Sequence, residues 1–284
     1  MAEQNINDRI TISTADTGVA DVRLARADKM NALDPNMFAS LVEASDQLAK
    51  DTSLRAVVLS GEGRSFCAGL DFASFSAMGN QGSDDGTAEK RPRPAITDPV
   101  ENRITHHAQQ AVYGWTELPV PVIAALHGHA LGGGIQLALG ADIRIAAPDT
   151  KMSVLEIRWG LIPDMTGTQA LINLVGLDVA KELTFSGRMV GAEEALELGL
   201  VTQIADDPRA TAMAMADDIA TKSPHAIRAA KRLFNQASKL STAEGFAMER
   251  AEIGRLIGSP NQAESVKAFF EKRDPVFADP ELVD

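Results

Sequence analysis

The stretch best suited to chemistry is Leu131-Gly132-Gly133-Gly134-Ile135-Gln136. The apolar run Val120-Pro121-Val122-Ile123-Ala124-Ala125-Leu126 leads in as a strand, and Ile135 to Leu139 leads out as a helix. Glycines at such a junction let the backbone approach a ligand and adopt dihedrals that a side chain forbids. Unpaired N–H groups at a helix start favour negative charge, which suits an anion or a developing oxyanion. Tight strand-to-helix packing is the competing reading. A second stretch, Ser65-Phe66-Cys67-Ala68-Gly69-Leu70-Asp71, follows another strand-like run, Arg55 to Ser60.

Other reactive side chains carry less. Cys67 has no histidine paired with it by sequence, so a buried small residue is expected there rather than a nucleophile. His106-His107 and His127-Gly128-His129 lack carboxylate or thiol neighbours at metal-ligand spacing, and no metal site is expected.

Composition narrows the partners. The chain has 284 residues with a net charge of −12, which argues against nucleic acid and anionic membrane as main partners. Its single cysteine excludes a disulfide framework. The first residues lack the basic and apolar regions of a leader, and no apolar run nears the roughly 20 residues of a membrane span. A soluble, cytoplasmic protein is expected.

Strands and helices flank the glycines on both sides. Arg9 to Ser13 and Val19 to Leu24 form a hairpin about Asp16-Thr17-Gly18. Asp34-Pro35 starts a helix that buries Met37, Leu41, Ala44 and Leu48. Arg55 to Ser60 is a buried strand, and strand–helix–strand alternation implies a parallel sheet. Phe75 to Thr97 reads as a long mobile loop, either a lid or a surface insertion. Asn102 to Leu118 is helical; Asp142 to Ala146, Lys151 to Val154 and Val201 to Ile204 are strands. Thr168 to Val175 and Ala192 to Leu198 are helices. Helices alone follow, at Pro208 to Thr221, Pro224 to Gln236, Thr242 to Ile257 and Gln262 to Lys272.

Taken together, the two glycine-containing stretches resemble the crotonase family of enoyl-CoA hydratases and isomerases. The match extends through Arg26 to Leu33, Glu156 to Pro163, Gly167-Thr168-Gln169, Gly191 to Val201 and Glu271-Lys272-Arg273, in the family's order. The resemblance implies an α/β spiral of ββα turns with a C-terminal helical part. Residues 1–205 would be the spiral core with the acyl-CoA site, and 206–284 a helical trimerisation part. It implies a homo-oligomer, trimer or hexamer, and an acyl-CoA substrate with no separate cofactor, since coenzyme A enters with the substrate.

By position, Ala68 and Gly133 match the residues whose amides form the family's oxyanion hole. Glu156 matches its catalytic glutamate, and a carboxyl in an apolar pocket has a raised pKa suited to proton transfer. Gln136 stands where family hydratases carry a second glutamate; an amide can orient water or substrate but cannot carry a proton. Asp164, eight residues after Glu156, matches an aspartate of the family's dienoyl-CoA isomerases, to which the carboxylate pattern is most similar. Capping of the helix at Thr168 is the alternative for Asp164. Arg26, Lys29 and Asn31, with Cys67, Ala68, Gly69, Leu70 and Asp71, lie where the family holds coenzyme A. Phe277 is followed by Ala278 where many relatives have lysine, which puts one phosphate contact in doubt. The favoured reaction is double-bond isomerisation of an enoyl- or dienoyl-CoA; hydration of a 2-enoyl-CoA and a catalytically silent acyl-CoA- or RNA-binding relative are the alternatives.

Overall fold

The computed structural model describes residues 3–71, 73 and 97–281. Strands β2 (Ile10–Thr14) and β3 (Val19–Leu24) form the expected hairpin, with Ile12 opposite Val22. A further strand, β1 (Glu3–Ile6), adds antiparallel to β2 although its own sequence is polar. Helix α1 (Pro35–Leu48) starts as expected: the Asp34 carboxylate accepts the Met37 N–H at 2.8 Å, and Pro35 needs no N–H of its own. Met37, Leu41, Ala44 and Leu48 are all buried.

Strand β4 (Ala56–Gly61) pairs in parallel with β3 on one side and β5 (Val122–Leu126) on the other. With β7 (Ile143–Ala146) and β10 (Gln203–Ile204) the large sheet has the order β1-β2-β3-β4-β5-β7-β10. A small sheet holds β6 (His129–Leu131), β8 (Lys151–Ser153) and β9 (Val190–Gly191) in the order β6-β8-β9. Isolated parallel bridges, Cys67 to Ala130 and Leu33 to Leu70, continue its ladder. Successive circuits of chain thus give a long strand to one sheet and a short strand to the other before a helix returns. This is the α/β spiral of ββα turns.

Helix α2 (His107–Glu117) starts later than Asn102, because Asn102 is left-handed at φ 59° and His106 forms a reciprocal cap with Gln109. Helix α3 (Gly133–Leu139) follows β6 directly. Next come α4 (Gly167–Val175), the unexpected α5 (Leu177–Ser186) and α6 (Ala192–Leu198). The remaining helices are α7 (Pro208–Ala220), α8 (Pro224–Ala237), α9 (Thr242–Leu256) and α10 (Pro260–Glu271). The main core fills one face of the large sheet, where Trp115 of α2 and Leu41 of α1 share one buried cluster with Leu59 and Leu126. On the other face Ala212 and Ala216 of α7 pack on Val58, Ile123 and Ile145. Small residues let α7 lie close to the strands. Helix α8 is pinned below the sheet by Lys231, which meets the Val120 carbonyl at 2.9 Å and Asp142 at 2.7 Å. The loop expected from Phe75 to Thr97 lies outside the described residues except for Thr97. Among the described residues no helix is long and apolar enough to cross a membrane.

Candidate active site

Residues 67–71 run between the 30–33 segment and β6, and the hydrogen bonds alternate between these neighbours. Cys67 donates to the His129 carbonyl at 2.9 Å and accepts from Leu131 at 3.0 Å. On the other side, Ala68 donates to Met30 at 2.9 Å, Leu33 to Gly69 at 2.7 Å, and Asp71 to Leu33 at 3.0 Å. Gly69 turns the chain at φ +86°, and a Cβ there would stand 2.5 Å from the Leu131 carbonyl oxygen and 3.6 Å from the Gly133 nitrogen. Residues 69 and 70 therefore lie against the start of α3. Two amides in this corner, Leu70 and Gly133, have no hydrogen-bond partner among the described residues. The expectation for Ala68 is corrected: its amide is committed to Met30 and is not free for a ligand oxygen.

Glu156 begins the short 3-10 turn Glu156–Trp159 after β8 and is 8% exposed. Its Oε1 accepts the Gln136 amide at 2.6 Å. The Gln136 carbonyl oxygen accepts Met165 N–H at 2.8 Å and Gly167 N–H at 3.1 Å. Oε2 of Glu156 is buried with no hydrogen-bond partner. Burial pushes the Glu156 pKa above the usual carboxylate range and the negative charge of Asp164 adds to this, while main-chain and Gln136 donors oppose it. A Cβ on Gly132 would stand 3.6 Å from Glu156 Oε1, so the carboxyl and the glycine stretch share one site. Next to them, a Cβ on Gly133 would meet Leu33 Cδ1 at 2.7 Å and Met165 Sδ at 2.9 Å.

Asp164 is exposed, and among the described residues it makes no hydrogen bond to α4. The residue before that helix is Thr166, left-handed at φ 70° and without a side-chain cap. The capping alternative for Asp164 is corrected accordingly. Gln136 is tied on three sides. Both acceptor positions of its oxygen are occupied, leaving one N–H to meet a water or substrate.

The residues expected around coenzyme A divide into two kinds. Lys29 is exposed at the end of the 3-10 turn Ala27–Lys29 and makes no ion pair among the described residues. Asn31 is fully buried and organises the backbone instead. Its oxygen accepts the Arg26 N–H at 2.9 Å, and its nitrogen donates to Glu62, Ser65 and Phe66 carbonyls at 2.9, 2.8 and 3.1 Å. Its side-chain oxygen and nitrogen are thus spent within the chain, on the backbone of the neighbouring turns. Arg26 is engaged at 2.9 Å with Asp71 and at 3.0 Å with the Ala32 carbonyl, so this cation braces the two turns. The Cys67 thiol donates to the Asn31 carbonyl at 3.1 Å, and burial pushes its pKa up to about 12. A protonated, enclosed thiol is neither nucleophile nor ligand contact, so the side chain of Cys67 drops out of the expected coenzyme A set. The histidines flanking the Gly128 turn are hydrogen-bonded locally: His129 Nδ1 lies 3.0 Å from Ser65 Oγ, and His127 Nε2 lies 3.0 Å from the Gly63 carbonyl.

Sequence reasoning missed the Leu70 amide and the Met165 and Gly167 amides that hold Gln136. Leu70 belongs to the right stretch, but its freedom depends on which neighbour each peptide group faces. Gly167 has a small signal: a Cβ there would press on Gln136 Oε1 at 2.7 Å.

Comparison with known proteins identifies the family. The family model described as Enoyl-CoA hydratase/isomerase matches residues 14–280. A Bacillus subtilis (strain 168) protein named "Probable enoyl-CoA hydratase" is 34% identical over 250 residues, covering 87% of this chain and 90% of that protein. The mitochondrial methylglutaconyl-CoA hydratase of Mus musculus is 34% identical over 265 residues, covering 91% of this chain and 79% of that one. The crystal structure of an enoyl-CoA hydratase from Bacillus anthracis superposes with a TM-score of 0.83 at 31% identity, covering 95% of this chain and 98% of that one. Fold and sequence agree that the chain belongs to the enoyl-CoA hydratase/isomerase family of the crotonase superfamily.

Proposed function

We propose that the chain binds an acyl-CoA thioester and moves a double bond of an enoyl- or dienoyl-CoA through an enolate. The observation that carries this reading is Glu156 Oε2: a buried, unpartnered carboxyl oxygen beside the glycine stretch, where the Gly133 amide has no partner among the described residues. In this reading Oε2 takes a proton from the acyl chain. The electron pair of the broken C–H bond moves to the thioester oxygen, and the amides of Gly133 and Leu70 hold the charge. Asp164, exposed to solvent, takes up a proton from water and passes it to the other carbon, and Glu156 returns its proton to solvent. The step balances without a metal or redox cofactor. Lys29, with the backbone of Ala68, Gly69 and Leu70, receives the coenzyme A portion. Arg26 and Asp71 support that turn from behind.

Hydration of a 2-enoyl-CoA is the second reading, favoured by relatives named as hydratases. Gln136 weighs against it. An amide with a filled oxygen cannot take a proton from water, so Glu156 would have to manage both ends of the addition. A panel of enoyl- and dienoyl-CoA substrates in heavy water separates the readings. Isomerisation gives products of unchanged formula, apart from exchanged hydrogen, with a displaced double bond. Hydration adds one water, and no product at all would leave a silent acyl-CoA binder.

Assembly into a homo-oligomer is part of the same proposal. Phe234 (81% exposed), Phe269 (78%) and Phe270 (77%) on α8 and α10 are large apolar side chains without cover in the single chain. Light scattering in solution tests it.

A further inference from the structure

The carboxamide of Gln136 is only 1% exposed, and its orientation is fixed by its neighbours. Met165 N–H at 2.8 Å and Gly167 N–H at 3.1 Å converge on its Oε1. A backbone N–H can only donate, so the oxygen end of the amide must face these two groups and the NH₂ end must face Glu156. The 2.6 Å contact is therefore donated by Gln136 whether Glu156 is charged or neutral. Oε1 of Glu156 is an acceptor in both states. A carbonyl oxygen accepts more strongly than a hydroxyl oxygen, so this contact favours a proton of Glu156 on the other oxygen, the buried and unpartnered Oε2.

We propose that Gln136 is a positioning residue that makes Glu156 a one-oxygen proton carrier, exchanging at Oε2 alone, and ties its carboxyl to the backbone of residues 165–167. This inference rests on Glu156 being the proton carrier of the proposed reaction. The tie also reaches the glycine stretch. Met165, whose amide holds Gln136, stands with its sulfur where a Cβ on Gly133 would fall, 2.9 Å away. Rotating the Gln136 amide would thus disturb the carboxyl and the Gly133 amide together. Electrostatics point the same way: donation from Gln136 favours the charged carboxylate and opposes the effect of burial on Glu156.

The test reads the ionisation of Glu156 directly and without substrate. Infrared difference titration follows the carboxyl band in the unmodified chain, in Gln136→Met and in Gln136→Glu; Glu156→Gln identifies the band. In parallel, kcat and KM are measured for exchange of acyl-CoA protons in heavy water. Gln136→Met loses the donor and should move the Glu156 titration to higher pH. Its kcat should fall about 10- to 100-fold, as a misplaced catalytic group does, with KM nearly unchanged. Gln136→Glu keeps an acceptor for Met165 and Gly167, so it should fold. Two carboxyls at this distance must share a proton, giving two coupled titration steps on either side of the original one. A folded Gln136→Glu in which Glu156 titrates as before overturns the proposal, whatever happens to Gln136→Met. Shifted titrations with no proton exchange even in the unmodified chain would keep the clamp and overturn the reaction.

Discussion

The amide of Ala68 points at the carbonyl of Met30, 2.9 Å away, while the amide of Leu70 meets no partner among the described residues. One hydrogen bond thus moves the proposed oxyanion donor two residues along the chain. The two glycine-containing turns come together here, with Leu70 bridged to Leu33 and Gly133 at the start of α3, so both donors are placed by hydrogen-bonded backbone.

The first prediction contrasts two substitutions. Gly133→Val brings a branched side chain onto Leu33 and Met165, beside the proposed donor, and turnover should fall about a hundredfold or more. Ala68→Ser leaves the backbone bond to Met30 intact and should keep turnover within about threefold. Steady-state kinetics with the active member of the substrate panel checks both. Equal losses would remove the support for a donor pair that excludes Ala68.

Much of this fold was legible in the sequence because its signals are local. Asp34-Pro35, the Gly18 turn and the apolar run of β4 each carry their own signature. Strand β1 was not legible, since Glu3-Gln4-Asn5 becomes a strand only by pairing with β2. The glycine stretch and Glu156 could be read as a site, but the tasks of Asn31 and Arg26 could not. Asn31 meets Ser65 and Phe66 across 34 and 35 residues, and Arg26 meets Asp71 across 45. A basic or polar turn looks the same in sequence whether it faces a phosphate or braces its neighbour.

That distinction gives a second prediction. Asn31→Ala would leave two buried carbonyls, one half-buried carbonyl and the Arg26 N–H short of a partner, and should cost about 3 kcal/mol of stability. Chemical denaturation measures this. An Asn31 that chiefly bound coenzyme A would instead leave the midpoint unchanged and weaken acyl-CoA binding.

Glu156→Gln supplies a third, with two readouts. Turnover should drop about a hundredfold or more while acyl-CoA affinity changes little. Stability should move the other way. The raised pKa means that the folded chain holds this proton more tightly than the unfolded chain. Stability of the unmodified protein therefore falls as pH rises from the ordinary glutamate pKa through the raised one, and stays lower above it. The variant lacks this loss, so its advantage in Tm should be larger at pH 8 than at pH 4, both pH values being rough choices on either side of the carboxyl titration. A melting series across pH that shows a constant difference would contradict a strained, buried carboxyl.

Cys67 offers a test of the packing between the two turns. Fully buried, with its pKa pushed up to about 12, the thiol should not react with dithionitrobenzoate in the native protein at mildly alkaline pH. One equivalent of thiol should react after denaturation. Rapid labelling of the native state would mean that the segment around Asn31 opens readily.

Asp164 bears most directly on which reaction the site performs. Its negative charge helps to raise the pKa of Glu156, so Asp164→Asn should lower that pKa. Where the rate depends on ionised Glu156, the acid limb of kcat/KM should move to lower pH. This shift is expected in either reading, because it reports charge and not proton delivery. The height of the profile separates the readings. If Asp164 delivers the second proton, Asp164→Asn should reduce dienoyl-CoA isomerisation by about a hundredfold or more across the whole pH range. Hydration of a short 2-enoyl-CoA, which uses Glu156 alone, should keep most of its rate. A profile that moves along the pH axis without losing height would make Asp164 a tuning charge only, and hydration would then become the better account of the site.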